Sequence, residues 1–151
     1  MKTEIKVTEL SHENLVDLLS TALYDSSWFR ASYDRDIYES LENKQGECFE
    51  DKLADMLLAG KKITITDFEA DGESYSKKFV RFEGKYQDAV YEVDIKDFLK
   101  VASTKIGYKL LREVIGYNKE DGDEYDEPGD GDYYTADAFL QRVVFGEEVY
   151  G

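Results

Sequence analysis

Residues 61–94 have the sequence KKITITDFEADGESYSKKFVRFEGKYQDAVYEVD, and this stretch decides the fold class. Ile63 and Ile65 alternate with polar residues, so Lys61–Ala70 has the pattern of a half-buried strand. Asp71-Gly72 is a strong signal for a two-residue hairpin turn. The pattern predicts that the chain reverses there and continues as a second strand over Tyr75–Glu83.

A third strand follows from the same reasoning. Gly84-Lys85 fits a tight turn with glycine at its first position, and Tyr86–Val93 is rich in strand-forming residues. The three segments together predict an antiparallel β-meander. Thr3–Leu10 also alternates between apolar and polar residues, which predicts a short fourth strand near the N-terminus.

The flanking sequence has the three- and four-residue spacing of amphipathic helices. Ser11 is a good N-cap for the first of them, and Gly60 and Gly146 are good helix ends. The predicted helices contain, in order, Leu15, Leu18, Leu19, Ala22 and Leu23; a short helix within Tyr33–Asn43; Phe49, Leu53, Met56 and Leu57; one long helix with Ile95, Phe98, Leu99, Ala102, Ile106, Leu110 and Val114; and Phe139, Leu140, Val143 and Val144 from about Thr135.

The sequence therefore predicts one α+β domain over residues 1–151, a meander of three or four strands packed with four to five helices. Asn118–Tyr134 forms an acidic irregular loop within it, because Pro128 and three glycines interrupt any periodicity. No apolar run approaches the roughly 18 residues needed to cross a bilayer. With one cysteine and no signal-peptide core, the chain is expected in the bacterial cytoplasm.

Charge is the most informative part of the composition. The chain has 34 acidic and 19 basic residues and a net charge of −15. Such a protein repels nucleic acid and anionic membranes and is attracted to basic protein surfaces. The alternative interpretation is that the acids serve solubility alone.

The acidic loop is the predicted partner-binding site. Between Lys119 and Tyr134 eight carboxylates stand against one lysine, so about a tenth of the chain carries nearly half of the excess charge. The alternative is a solvated connection with no role. The residues predicted to bind the partner are Glu120, Asp121, Asp123, Glu124, Tyr125, Asp126, Glu127, Asp130, Asp132, Tyr133 and Tyr134.

A calcium site is a weaker interpretation of the same loop. Asp121, Asp123 and Asp132 fall at positions 1, 3 and 12 of a calcium-binding loop. However, position 5 is Tyr125 and position 6 is Asp126, where a glycine is needed for the turn. No metal and no cofactor are therefore predicted.

Catalytic motifs are lacking in the sequence, which contains no GxSxG, no phosphate-binding glycine loop and no HExxH. Cys48 and His12 are candidates for a nucleophile and its base only because each occurs once. A lone cysteine is more often an inert core residue. The chain is therefore predicted not to be an enzyme.

Two further clusters have alternative interpretations. Trp28, Phe29, Tyr33 and Tyr38 form an aromatic-rich stretch that is expected to be core, or an interface anchor if it is exposed. The cations Lys77, Lys78, Arg81 and Lys85 form a basic patch. That patch would suit a small enzyme or a protein that sequesters an anionic signalling molecule, the least favoured function.

Three stretches resemble small acidic, uncharacterised proteins of Firmicutes phages, prophages and mobile elements. They are Leu15–Leu23 followed by Trp28, Leu57–Ile65, and the ending Asp137–Gly151, which is the most specific. The resemblance covers about half of the chain. The hairpin Tyr75–Val93 is longer than in that group, and the stretch around Trp28 lacks its glycines.

The resemblance implies a phage or prophage setting, where small acidic proteins often block host defence nucleases, CRISPR effectors included. One charge per roughly 1.7 Å of DNA axis means that fifteen charges match about 25 Å of duplex. The expected function is therefore an anti-CRISPR type inhibitor that binds a basic nucleic-acid-binding surface, as a mimic of DNA. The alternative is a phage accessory or structural module that binds another phage protein and has no nuclease target.

Overall fold

The computed structural model of the chain describes residues 6–24, 26–116 and 133–151. Within these ranges the protein has six helices and one four-stranded antiparallel sheet, so the predicted α+β class and strand number are confirmed. The helices are α1 (His12–Leu23), α2 (Arg35–Glu39), α3 (Phe49–Leu58), α4 (Ile95–Ala102), α5 (Lys105–Ile115) and α6 (Tyr133–Phe145). The strands are β1 (Phe29–Ser32), β2 (Ile63–Asp67), β3 (Phe79–Glu83) and β4 (Asp88–Val93).

The strand order β1-β2-β4-β3 differs from that of a meander, because β4 lies between β2 and β3. Burial explains the order. Ala89, Val90, Tyr91 and Val93 are all buried in β4, as a central strand requires, whereas β3 leaves its middle positions exposed and forms an edge. The predicted turn at Asp71-Gly72 exists, with φ of 48° and 82°, but it does not join paired strands.

The fourth strand lies elsewhere than predicted. It is β1, whose Phe29 and Ala31 are buried and pair with Asp67 and Ile65 of β2. Residues 6–10 do not belong to the sheet, and the backbone N–H of Val7 instead donates to Ser103 Oγ at 2.9 Å. The remainder of the predicted Thr3–Leu10 strand lies outside the described residues.

The long predicted helix is two helices that meet at Ser103-Thr104. Thr104 starts α5 as its N-cap, since its hydroxyl accepts from the backbone N–H of Gly107 at 3.0 Å and donates to the carbonyl of Val101 at 2.7 Å. Gly107 packs so closely against the end of α4 that an added Cβ would lie 1.9 Å from the Val101 oxygen. The apolar stripe continues across this junction, so periodicity alone does not reveal it.

The remaining helix predictions are confirmed by their caps. Ser11 accepts from the backbone N–H of Asn14, and Gly60 and Gly146 adopt φ of 75° and 83°. The helices and the inner face of the sheet enclose one hydrophobic cluster, in which Leu15, Tyr91 and Phe139 are fully buried. Among the described residues no helix is both long and apolar enough to cross a membrane.

Candidate functional site

Most of the predicted partner-binding residues lie outside the described residues, including Glu120–Asp132 and the three aspartates of the calcium interpretation. Tyr133 and Tyr134 belong to the first turn of α6 and not to an irregular loop, so the prediction over 118–134 is wrong for these two residues. The Tyr134 side chain is 62% exposed and lines a surface cavity, together with Trp28 and Asp137.

A second acidic region lies in the described part of the chain. We call residues 34–51, which contain α2 and the first turn of α3, the acidic segment. Only Arg35 and Lys44 are basic there, and Lys44 is 3.8 Å from the carboxylate of Glu39. The carboxylates of the segment, all exposed or half-buried, are Asp34, Asp36, Glu39, Glu42, Glu47, Glu50 and Asp51. Their net negative charge therefore faces solvent.

A buried carboxylate fixes the acidic segment to the core. Asp55 of α3 is 4% exposed, and its Oδ2 accepts from Tyr38 Oη at 2.8 Å and from the backbone N–H of Gln45 at 3.0 Å. Its Oδ1 lies 3.3 Å from His12 Nε2 of α1, which is also 4.0 Å from Asp51. Gly46 leaves no room for a side chain, because a Cβ there would lie 2.2 Å from the Tyr38 oxygen.

Replacing Tyr38 with phenylalanine tests this attachment. Burial and the hydrogen bond to Asp55 raise the pKa of Tyr38 to about 12. The contribution of the Tyr38 hydroxyl to the free energy of unfolding is therefore fully present below the ordinary tyrosine pKa of about 10. This contribution is lost as pH rises towards 12. We expect Tyr38→Phe to lower the free energy of unfolding by about 1.5 kcal/mol at pH 7. In urea titrations at several pH values, the difference from wild type should shrink above pH 10; a constant difference would contradict the assignment.

The structure argues against Cys48 as a nucleophile. Cys48 is exposed at the N-cap of α3, where its Sγ donates to Asp51 Oδ2 at 3.2 Å. The backbone N–H of Asp51 lowers the pKa of Cys48, but the hydrogen bond to the Asp51 carboxylate, local desolvation and Glu50 together raise it above its ordinary value. The thiol is therefore protonated at neutral pH, and His12 faces Asp55 and Asp51 instead. The alternative interpretation, that Cys48 lies in the core, is also wrong, because the residue is exposed.

The aromatic stretch is core, as expected. Trp28, Phe29 and Tyr38 are buried and Tyr33 is half-buried. The ring of Trp28 lies 4.5 Å from that of Phe29 and 5.5 Å from that of Tyr150, measured between ring centres. Trp28 nevertheless reaches a cavity of about 300 Å³, which we call the Trp28 cavity.

A polar network that the sequence analysis missed supports the Trp28 cavity. Trp28 Nε1 donates to Asp137 Oδ1, and Gln141 Nε2 donates to Asp137 Oδ2 at 2.7 Å. Gln141 Oε1 accepts from the backbone N–H groups of Val149 and Tyr150, both at 2.7 Å. The sequence contains one indication of this network: Gln141 interrupts the apolar stripe of the last helix and follows Asp137 by four residues.

The network ends on a buried carboxylate of the sheet. Tyr150 Oη donates to Asp67 Oδ2 at 2.7 Å, and the backbone N–H of Glu69 donates to Asp67 Oδ1 at 2.9 Å. Burial raises the pKa of Asp67, although both hydrogen bonds lower it. Burial and Asp67 raise the pKa of Tyr150, which therefore remains a neutral donor at physiological pH. The C-terminal segment is thus held to β2 by the hydrogen bond from Tyr150 to Asp67.

The predicted basic patch is partly neutralised by its neighbours. Arg81 Nη2 lies 2.7 Å from Glu83, and Lys78 Nζ lies 3.7 Å from Asp97. Lys85 Nζ lies 5.7 Å from the centre of the Tyr86 ring. Three of the four cations therefore contact groups of the protein itself, which weakens the case for an anionic ligand.

Metal-ligating groups do not cluster in the described ranges, where no three His, Cys, Asp or Glu side chains are placed to hold an ion. Comparison with protein-family models, with curated proteins and with solved structures finds no match to this chain.

Proposed function

We propose that this protein is a non-enzymatic inhibitor that occupies a basic nucleic-acid-binding surface of a bacterial defence nuclease, of the CRISPR effector type, and excludes DNA from it. The observation that carries this proposal is the net charge of −15 together with its uneven distribution along the chain. The acidic segment 34–51 and the loop 118–134 hold most of the excess.

The acidic segment has the properties that such contacts need. Its carboxylates face solvent, and Asp55 fixes the backbone between them to Tyr38 and Gln45. A fixed array of like charges avoids part of the entropy cost of ordering side chains on binding. Attraction between complementary charged surfaces also speeds association. This attraction weakens as salt is added, because exposed charges are screened over about 10 Å at 0.1 M.

The proposal predicts that charge, not shape alone, determines affinity. Three substitutions neutralise exposed acids of the segment without removing a known cap: Asp36→Asn, Glu42→Gln and Glu47→Gln. We expect the triple variant to bind a sensitive CRISPR effector at least tenfold more weakly, about 1.4 kcal/mol, and to inhibit DNA cleavage correspondingly less. The measurements are binding at 50 to 300 mM salt and cleavage of a duplex target.

The matched control carries the same charge change elsewhere, with Asp71→Asn, Glu92→Gln and Glu147→Gln. Equal losses for the two triple variants would indicate an effect of net charge rather than of the acidic segment. Neutralising Asp121, Asp123, Glu124, Asp126 and Glu127 measures the contribution of the loop. Unchanged cleavage across a broad panel of effectors would count against the proposed function as a whole.

A phage accessory module is the second candidate, and the exposed edge of the sheet favours it. In β3 the side chains of Val80 and Phe82 are 42% and 36% exposed, and Tyr86 follows in the adjoining turn. An apolar edge strand can pair with a strand of another protein. Binding by this edge would be insensitive to salt, would survive neutralisation of both acidic regions, and would be lost in Val80→Lys.

A further inference from the structure

We propose that a groove between the end of α2 and the end of α3 binds the side chain of a lysine on the basic surface of the partner. This inference rests on the proposed function and deepens it by naming a contact. The groove, which we call the α2–α3 groove, has a volume of about 450 Å³ and is lined by residues between Ser40 and Lys61. All of these residues belong to the continuously described range 26–116.

The apolar walls of the α2–α3 groove fit an aliphatic stem. Leu41 is half-buried and Leu58 is 44% exposed, and both line the groove together with Ala59. The methylene groups of a lysine can cover apolar surface while the ammonium group stays in polar surroundings. The walls therefore favour a long side chain over a small inorganic cation, which would leave them uncovered.

The polar groups of the groove favour a cation. Asp55 is 4% exposed at its base, Glu42 is exposed at its rim, and both bring a carboxylate to the lining. The C-terminal end of α3 adds the negative pole of the helix dipole. The carbonyl oxygens of Leu58 and Ala59 at this end accept no hydrogen bond from a described residue. The surrounding acidic segment has seven carboxylates against two cations, which leaves a net charge of −5.

The lining also contains a cation, Lys61, which is exposed at the α3 end of the groove. Lys61 forms no ion pair with a carboxylate of the described ranges, so it does not occupy Glu42 or Asp55. Its charge nevertheless repels a second ammonium group in the same groove. Removing the charge of Lys61 and removing that of Glu42 should therefore change the affinity for lysine in opposite directions.

The hydrogen bonds of Asp55 favour an ammonium over a guanidinium group. Its Oδ2 accepts from the Tyr38 hydroxyl and from the backbone N–H of Gln45, and its Oδ1 faces His12. Asp55 thus lacks the free pair of oxygens that a guanidinium fork needs, and no aromatic ring is among the described lining residues for it to stack on. An ammonium group carries three donors that can reach separate acceptors.

NMR titration of the amide signals of the full chain tests the groove directly. The probes are acetyl-lysine amide with a free side chain, its neutral analogue acetyl-norleucine amide, and acetyl-arginine amide. For about a dozen heavy atoms we expect a dissociation constant on the order of 1 mM for the lysine derivative. The norleucine derivative should bind at least about tenfold more weakly, because it lacks the charge. The amides of Asn43, Gln45 and Ala59 should shift together as the lysine derivative is added.

The outcomes of this titration are decisive. The absence of a saturable shift at these amides would overturn the inference. Equal binding of the lysine and norleucine derivatives would show that charge does not contribute, and would overturn it as well. Binding of the arginine derivative as tightly as the lysine derivative would contradict the choice of an ammonium group.

Two pairs of variants locate the binding site by the sign of their effects. Glu42→Gln should weaken binding of the lysine derivative by about threefold, and Lys61→Gln should strengthen it by about threefold. The matched controls are Glu47→Gln and Lys62→Gln, which make the same charge changes at exposed residues outside the lining. We expect these controls to change the affinity by less than about 1.5-fold. Equal effects of each variant and its control would indicate general charge rather than the groove.

The α2–α3 groove and the proposed function fail separately. If a nuclease binds wild type, Glu42→Gln and Lys61→Gln equally well, the inference is wrong although the proposed function stands. If the lysine derivative binds in the groove but no nuclease of a broad panel is inhibited, the proposed function is wrong and the lysine-binding groove remains.

Discussion

Replacing Gly107 with alanine is expected to lower the free energy of unfolding by about 3 kcal/mol, although alanine is the better helix former by about 1 kcal/mol. The added Cβ would lie 1.9 Å from the carbonyl oxygen of Val101 and 2.7 Å from its carbonyl carbon. These are backbone atoms at the end of α4, so they cannot move aside as a flexible side chain can. Relief requires α5 to move away from α4, which also strains the Thr104 cap.

Urea unfolding at pH 7 measures this effect, with Lys109→Ala as the control. Lys109 is exposed on the same helix, so its substitution should change the free energy of unfolding by no more than about 0.5 kcal/mol. The sign of the Gly107→Ala effect is decisive. If the variant is as stable as wild type, or more stable, helix propensity dominates. In that case α4 and α5 do not approach each other as closely as described.

The junction at Thr104 illustrates how far the sequence predicts the fold. Helices α1, α3 and α6 are predictable because their caps and apolar stripes are local signals. At the α4–α5 junction the apolar stripe continues from Leu99 to Leu110, so the periodicity indicates one helix. The break is marked only by Thr104, three residues before Gly107. This spacing indicates a helix start only once the contact between Gly107 and Val101 is known.

The strand order depends on contacts between distant residues, which explains why it was predicted incorrectly. Asp71-Gly72 does form a turn, and local turn chemistry cannot show which strands it joins. The N–H of Gly72 donates to the carbonyl of Gln87, beside β4, rather than to a residue of β3. Composition does not separate the two strands, because DAVYEV of β4 and FVRFE of β3 are similarly apolar; they differ in burial, which depends on the tertiary fold.

The candidate site was predictable in its charge but not in its geometry. The excess of acids is a property of composition, and the sequence gives its distribution along the chain. The contacts of Asp55 with His12 and Tyr38, and of Asp67 with Tyr150, join residues from 17 to 83 positions apart. No periodicity or spacing indicates such pairs, because they arise only when the helices pack on the sheet.

Replacing Gln141 with leucine is the second large expected effect, a loss of about 3 kcal/mol of unfolding free energy. The side chain is 2% exposed and takes part in four hydrogen bonds, with Asp137, Val149 and twice with Tyr150. Each bond contributes about 1 kcal/mol net, and a buried group left without its partner costs more. Urea unfolding gives the total, and hydrogen exchange of the Val149 and Tyr150 amides should quicken far more than exchange in β4.

The variant Gln141→Glu separates the hydrogen bonds from simple packing. Its carboxyl group keeps the shape and the acceptor for the Val149 and Tyr150 amides, but it loses the donor to Asp137 and places two carboxylates in contact. One of the two pKa values should therefore rise in the folded state, which destabilises the protein at neutral pH, and stability should return as pH falls through that raised pKa. Leucine cannot titrate. The loss of unfolding free energy in Gln141→Leu, measured relative to wild type, should therefore not become smaller as pH falls. If both variants lose stability equally at every pH, the network is not what holds the C-terminal segment.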